Sequence, residues 1–150
     1  MSEIKARLQE AVKEAMRSGD KQRLGTLRMA SAAIKQREVD SRAELGDDEV
    51  IEVLSRLVKQ SRESLEHYEG AGRDDLAAPE RAQIEVVSEF LPAALSDDEL
   101  DGLIDEAINA TGAASVRDMG QVMGQLKPRV QGRADMGSVS ARVKARLGGG

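Results

Sequence analysis

The 150-residue chain has no cysteine and no tryptophan, and aromatic residues make up 1% of it: Tyr68 and Phe90. Without cysteine there is no disulfide framework, no thiolate-held zinc or iron–sulfur cluster and no cysteine nucleophile. The scarcity of aromatics argues against a β-sandwich or barrel core. It also argues against the stacking platforms that hold single-stranded nucleic acid. No apolar run approaches the ~18 residues a membrane span needs, so no membrane role is expected. Met1 to Gln9 mixes charged and apolar residues, unlike a secretory signal. With cysteine absent as well, a reduced, cytoplasmic compartment is the expectation. What remains for a core is Ala, Leu, Ile, Val and Met. A chain of this length can bury roughly 68–70% of its unfolded surface.

Apolar residues recur with a period near 3.6 and nowhere alternate cleanly, which predicts an all-α protein. Ile4, Leu8, Val12 and Met16 form the stripe of a first helix that ends at Ser18-Gly19-Asp20. Leu24, Leu27, Ser31 and Ile34 mark a second, running to about Val39. The polar stretch from Asp40 to Gly46 leads to a third, where Asp47 is placed to cap and Asp48 and Glu49 suit the positive helix end. Val50, Leu54, Leu57, Val58, Ser61, Leu65 and Tyr68 share its face, and Gly70-Ala71-Gly72 stops it. Ile84, Val87 and Leu91 belong to a fourth, with Pro79 either marking its first turn or bending it, and Pro92 at its end.

Beyond the boundary at Leu91 to Leu95, Ser96-Asp97-Asp98-Glu99 has the form of a capping box. Leu100, Leu103, Ile104, Ala107 and Ile108 follow on one face, and Thr111-Gly112 closes that helix. Ser115 to Asp118 opens a sixth in the same style, with Met119, Val122, Met123 and Leu126 inward and an end at Lys127-Pro128. Asp135 can cap a last helix carrying Met136, Val139, Val143 and Leu147, with residues 148–150 frayed.

Charge divides along the same line. The chain carries −5 overall, and residues 1–90 carry −4. Residues 97–106 hold six acidic and no basic residues, whereas residues 107–150 hold seven basic and two acidic. An N-terminal helical bundle over 1–92 and a smaller three-helix domain over 93–150 are therefore expected.

Asp97-Asp98-Glu99-Leu100-Asp101 matches the DDxxD pattern that holds magnesium and diphosphate. No second acidic motif accompanies it, and capping at a helix start is the better reading. His67, the one histidine, lacks partners for a metal site and is read as solvated, so no metal is expected. Arg28, Lys35 and Glu38 edge the second helix's apolar stripe. They would form either a polar pocket between helices or, as the preferred reading, a boundary salt-bridge network. Gly120 and Gly124 each cost about 1 kcal/mol in a helix relative to Ala. Close packing of a neighbouring helix is the preferred reason, and close approach of a nucleic-acid backbone the alternative. The basic segment carries Lys127, Arg129, Gly132, Arg133, Arg142, Lys144 and Arg146. It is either a nucleic-acid surface or a solvated face balanced by the acidic helix.

Leu24 to Glu38, Lys59 to Glu69, Ala71 to Leu76, Glu89-Phe90-Leu91-Pro92 and Arg117 to Lys144 together resemble the bacterial YqeY proteins, free-standing relatives of the C-terminal region of the amidotransferase subunit GatB. The resemblance spans essentially the whole chain and is most specific from Met119 to Asp135. It implies an all-helical protein with an N-terminal bundle and a smaller C-terminal domain. It also implies a tail that helps hold tRNA, as the corresponding part of GatB does. The tail motif falls on Gly120, Met123, Gly124, Gly132, Arg133, Ala134 and Asp135. Phe90 stands where relatives often carry Tyr, and Met136 and Gly137 replace commoner polar residues.

The resemblance implies no catalysis by this chain alone, because the glutaminase nucleophile and the phosphorylating site of the amidotransferase lie elsewhere. No phosphate-cradling glycine motif is present, and no cofactor is expected. Three functions follow as expectations. The preferred one is a non-catalytic protein that binds tRNA or another structured RNA through Lys127, Arg129, Arg133, Arg142, Lys144 and Arg146. The others are an accessory component of a tRNA-dependent amidotransferase and a protein–protein adaptor acting through the N-terminal bundle.

Overall fold

A computed structural model describes residues 2–148. Among them are seven α-helices, a short 3₁₀ turn and no strand, so the protein is all-α. The helices are α1 (Glu3–Ser18), α2 (Lys21–Ser41), α3 (Asp47–Gly70), α4 (Asp74–Ser88), α5 (Asp97–Thr111), α6 (Met119–Val130) and α7 (Met136–Gly148). The 3₁₀ turn, Val116–Asp118, precedes α6. The chain divides into two compact units, Met1–Pro92 and Ala93–Gly150.

In the first unit α1 to α4 enclose Leu8, Leu27, Ile34, Leu45, Val50, Leu54, Val87 and Phe90. The stripe of α1 is rotated from the expected one. Met16 is 56% exposed, and Ala15 turns inward instead. A stripe spaced strictly by four drifts around a helix of 3.6 residues per turn, so its fourth member leaves the core. Gly19 ends α1 with φ 72°, the left-handed conformation that costs glycine nothing.

Three boundaries differ from expectation. Helix α2 continues to Ser41, and its end is set by Arg42 in the left-handed region at φ 54°. Asp47 does not cap α3, because Gly46 takes the cap position. The buried Leu45, whose N–H donates to Glu38 Oε2 at 2.9 Å, fixes the loop there. Asp47 instead serves the start of α1. Its carboxylate accepts from the Ser2 hydroxyl and from Ile4 N–H at 3.2 Å, which together hold it below the usual aspartate range. Pro79 lies in the second turn of α4 rather than its first. That helix ends at Ser88, four residues before Pro92.

The second unit encloses Leu100, Ile104, Val122, Leu126, Val130, Val139 and Val143. Ser96 caps α5 with the full reciprocal box. Glu99 N–H donates to Ser96 Oγ at 3.1 Å, and Ser96 N–H donates to Glu99 Oε1 at 3.2 Å. Helix α6 does not stop at Lys127-Pro128 but continues through Pro128 to Val130. Val130 is fully buried, and Gln131 N–H still reaches Lys127 O at 3.0 Å. Burial there outweighs the one backbone bond that proline removes. Asp135 caps α7 through Ser138 N–H at 3.1 Å. The expected fraying at 148–150 falls largely on residues 149 and 150, outside the described residues.

Candidate functional site

The basic residues of the second unit fall into two groups. Helix α7 turns Arg142 and Arg146 toward α5. Arg142 donates to Asp101 Oδ1 at 3.0 Å and to Asp97 Oδ1 at 2.8 Å. Arg146 pairs with Asp105 and lies 3.9 Å from Asp101. From α6, Arg129 meets Glu106 at 2.5 Å. The acids of α5 sit at i, i+4 and i+8, about 6 Å apart along the axis, and so present a ladder to the arginines. All of these side chains keep substantial contact with solvent, and such pairs contribute about 0–1 kcal/mol each. Counted over residues 93–150, the unit holds seven basic and eight acidic residues.

Arg133 is a loop anchor. Its Nε donates to Ala93 O at 3.0 Å, and its own carbonyl accepts from Leu95 N–H at 2.8 Å. Gly132, just before it, takes φ 77°, which closes the turn between α6 and α7. The start of α7 is occupied by Asp135, which takes both Ser138 N–H and the Ser138 hydroxyl.

Lys127 and Lys144 form the second group. Both side chains are exposed and have no ion-pair or hydrogen-bond partner among the described residues. On α6, Lys127 lies opposite Arg129 around the helix. On α7, Lys144 lies on the flank away from Arg142 and Arg146. Each helix thus gives one flank to the acids of α5 and leaves a lysine on the other.

Gly120 and Gly124 share the flank of Lys127, at spacings of four and three. Both are exposed, and a Cβ added at either meets nothing within 4 Å. The preferred expectation, close packing of a neighbouring helix, is therefore overturned. The two glycines instead strip side chains from an open strip of α6 backbone.

Two of the three DDxxD aspartates are committed elsewhere, and Asp98 is exposed beside them. Asp97 and Asp101 pair with arginines, and Glu99 closes the capping box, with the Ser96 backbone N–H chief among the contacts lowering its pKa. Among the described residues no group of three or more acidic or histidine side chains is arranged to hold a metal ion. His67 is exposed in the last turn of α3, its ring 6.2 Å from that of Tyr68.

The trio singled out on α2 separates. Arg28 is exposed and does not line the neighbouring groove. Lys35 and Glu38 do line it, together with Lys5. Glu38 is a clasp that accepts from Lys5 Nζ at 2.6 Å and from Leu45 N–H. The Lys5 bond, then the Leu45 N–H, hold its carboxyl below the usual glutamate range.

Sequence reasoning missed a second clasp, at the end of α4. Arg23 grips Glu89 through both guanidinium nitrogens, at 2.6 and 3.1 Å. Arg7 donates to Glu89 O at 3.0 Å and lies over the Phe90 ring, 5.3 Å from its centre. Phe90 is buried, so the absent tyrosine hydroxyl would have needed a partner inside the bundle. No local spacing signals these contacts, because they join residues 66 to 83 positions apart.

A family model described as Yqey-like protein matches residues 5–147. A curated relative from Pyrenophora tritici-repentis, named altered inheritance of mitochondria protein 41, mitochondrial, is 30% identical over 95% of this chain and 80% of its own length. A protein of the same name from Eremothecium gossypii is 34% identical over 59% of this chain and 49% of its own. The Saccharomyces cerevisiae protein is 25% identical over 89% and 71%. These names overturn the expectation of a cytoplasmic compartment, since the relatives are named as mitochondrial. That expectation rested on missing cysteines and a missing secretory signal, and neither distinguishes the cytoplasm from other reduced compartments.

Proposed function

The chain belongs to the YqeY-like family, and from that premise we propose that it is a non-catalytic protein whose second unit binds tRNA or another structured RNA. The observation that carries this reading is the flank of α6 formed by Gly120, Gly124 and Lys127. A Cβ added at either glycine meets nothing within 4 Å, and the lysine side chain has no ion-pair or hydrogen-bond partner among the described residues. A helix bare of side chains lets a sugar–phosphate backbone come close, and an unpaired ammonium beside it neutralises phosphate. Lys144 supplies a second free charge on the neighbouring helix. The scarcity of aromatics suits recognition of shape and phosphate rather than stacking on single strands. The resemblance of the tail to that of GatB points the same way.

This assignment narrows the contact set. Lys127 and Lys144 bind. Arg129, Arg142 and Arg146 are engaged by α5, and Arg133 shapes the loop. Residues 1–92 and 93–150 are taken as separate domains, the second carrying the RNA site. The test is a titration of bulk tRNA with the full chain and its charge variants. Lys127→Glu and Lys144→Glu are expected to weaken binding about tenfold each at low salt. Lys21→Glu, the same change at an exposed site on α2, leaves it nearly unaltered. Equal losses from all three changes would contradict the proposal. The second reading, an accessory chain of a tRNA-dependent amidotransferase, rests on the GatB resemblance and would show as co-purification with amidotransferase subunits.

A further inference from the structure

We propose that the groove between α1 and α2 of the first unit binds a small anion, a carboxylate or phosphate monoester carrying a short body. The groove is separate from the RNA surface proposed above and does not depend on it. Its mouth, about 450 Å³, is lined by Lys5, Lys35, Glu38, Arg42 and Glu44. It continues past Gln9 and Ser31 over Leu8 and Ile34, a further recess sharing Lys5, Lys35 and Glu38.

Charge in the mouth is unevenly spent. Glu38 is satisfied twice, by Lys5 and by Leu45 N–H. Lys5 is drawn to Glu38 at 2.6 Å and lies 3.8 Å from Glu44. Two side chains remain: the Lys35 ammonium and the Arg42 guanidinium are exposed and have neither an ion-pair nor a hydrogen-bond partner among the described residues, although Lys35 also acts on Glu38 through space. Both line the mouth, Lys35 from α2 and Arg42 from just past its end.

Arg42 is also held at a cost. It is the one non-glycine residue with positive φ among the described residues. It occupies the helix-ending position where glycine is the ordinary choice and a side chain is disfavoured. The backbone does not ask for arginine, and no hydrogen bond or ion pair among the described residues uses its guanidinium. An anion in the mouth would use it, with Lys35 opposite and with Gln9 and Ser31 available for hydrogen bonds to the ligand's body. The first 90 residues carry −4, and Glu44 lines the mouth. That field repels a polyanion and leaves room for a small one.

The experiment follows amide shifts of the full chain during separate titrations with inorganic phosphate and with glutarate. Sodium chloride at matched ionic strength is the control. Saturable shifts are expected around Gln9, Lys35 and Arg42 to Glu44 with at least one of the two anions. Saturation with phosphate alone would identify a phosphate head, and with glutarate alone a carboxylate. Arg42→Gly should weaken binding about tenfold while raising the thermal midpoint, because it removes the charge and the backbone strain together. Lys35→Met should weaken binding without that gain. Shifts no larger than those from chloride, or unchanged binding by Arg42→Gly, would overturn the proposal.

Discussion

Gly124 lies on an open flank of α6, where an added methyl group meets nothing within 4 Å. Intrinsic preference alone says that Gly124→Ala stabilises the helix, by up to about 1 kcal/mol. A higher thermal midpoint for the second unit, read by circular dichroism, is the expected result. If the bare flank meets RNA, bulk there has the opposite effect on binding, and Gly124→Gln should weaken tRNA affinity while leaving the fold intact. Asp47 supplies a different residue-level prediction. The Ser2 hydroxyl and Ile4 N–H lower its pKa, so its contribution to stability is present above the unfolded value near pH 4. That contribution is lost as pH falls through the lower folded value. Glu38 acts with the same sign through Lys5 and Leu45. Asp47→Asn should therefore melt earlier than the natural chain at pH 7, and the two midpoints should converge as pH falls through the lowered folded value. A constant difference across that range would show that the carboxylate's charge contributes nothing. Asp47 was legible as a carboxylate at a helix start. Which helix it serves was not, because Ser2 and Asp47 meet 45 positions apart.

At the scale of the element, α5 and α7 are joined by a ladder whose rungs are exposed ion pairs. Loosening one rung does not free an arginine at the lysine flanks, because Arg142 keeps Asp97, Arg146 keeps Asp105, and both lie on the side of α7 away from Lys144. Asp101→Asn is therefore expected to change tRNA binding only as the loss of one acidic charge does, with no added phosphate contact in the salt slope. Asp98→Asn makes the same change in net charge at an exposed neighbour outside the ladder, so it isolates the effect of the rung. Equal effects of the two variants are the expected result, and a distinctly larger gain from Asp101→Asn would place the ladder arginines in the RNA surface. Helix identity and the caps at Ser96 and Asp135 were readable in advance, because Ser96 with Glu99 and Asp135 with Ser138 are contacts between near neighbours. The ladder was readable only as a balance of charges. Spacing put Arg142 and Arg146 on one edge of α7, but that they face Asp97, Asp101 and Asp105 is a fact of tertiary packing. The stop at Pro128 failed for the same reason: local propensity ended the helix, and the buried Val130 carried it on.

For the whole molecule, the shift from an acidic first segment to a basic last one pointed to the segment to which RNA binding is assigned by proposal, and apolar periodicity marked the all-α class. Composition overstated the positive character of the second unit, since the acids of α5 belong to it and offset the tail. The loop anchors and clasps that fix each unit, Arg133 on Ala93 and Arg23 on Glu89, carry no sequence signature. If residues 1–92 and 93–150 are separate domains, limited proteolysis of the full chain should cut first between 91 and 95. First cuts inside α3 or α5 would contradict that division. The central claim, an RNA surface built on Lys127 and Lys144, is tested most directly by titrating the full chain against bulk tRNA from ~50 to ~200 mM salt. Two to three phosphate contacts predict a slope of about −2 to −3 in log units, a loss of affinity of about ten- to fortyfold across that range. Binding that ignores salt, or that is absent at ~50 mM, would contradict it.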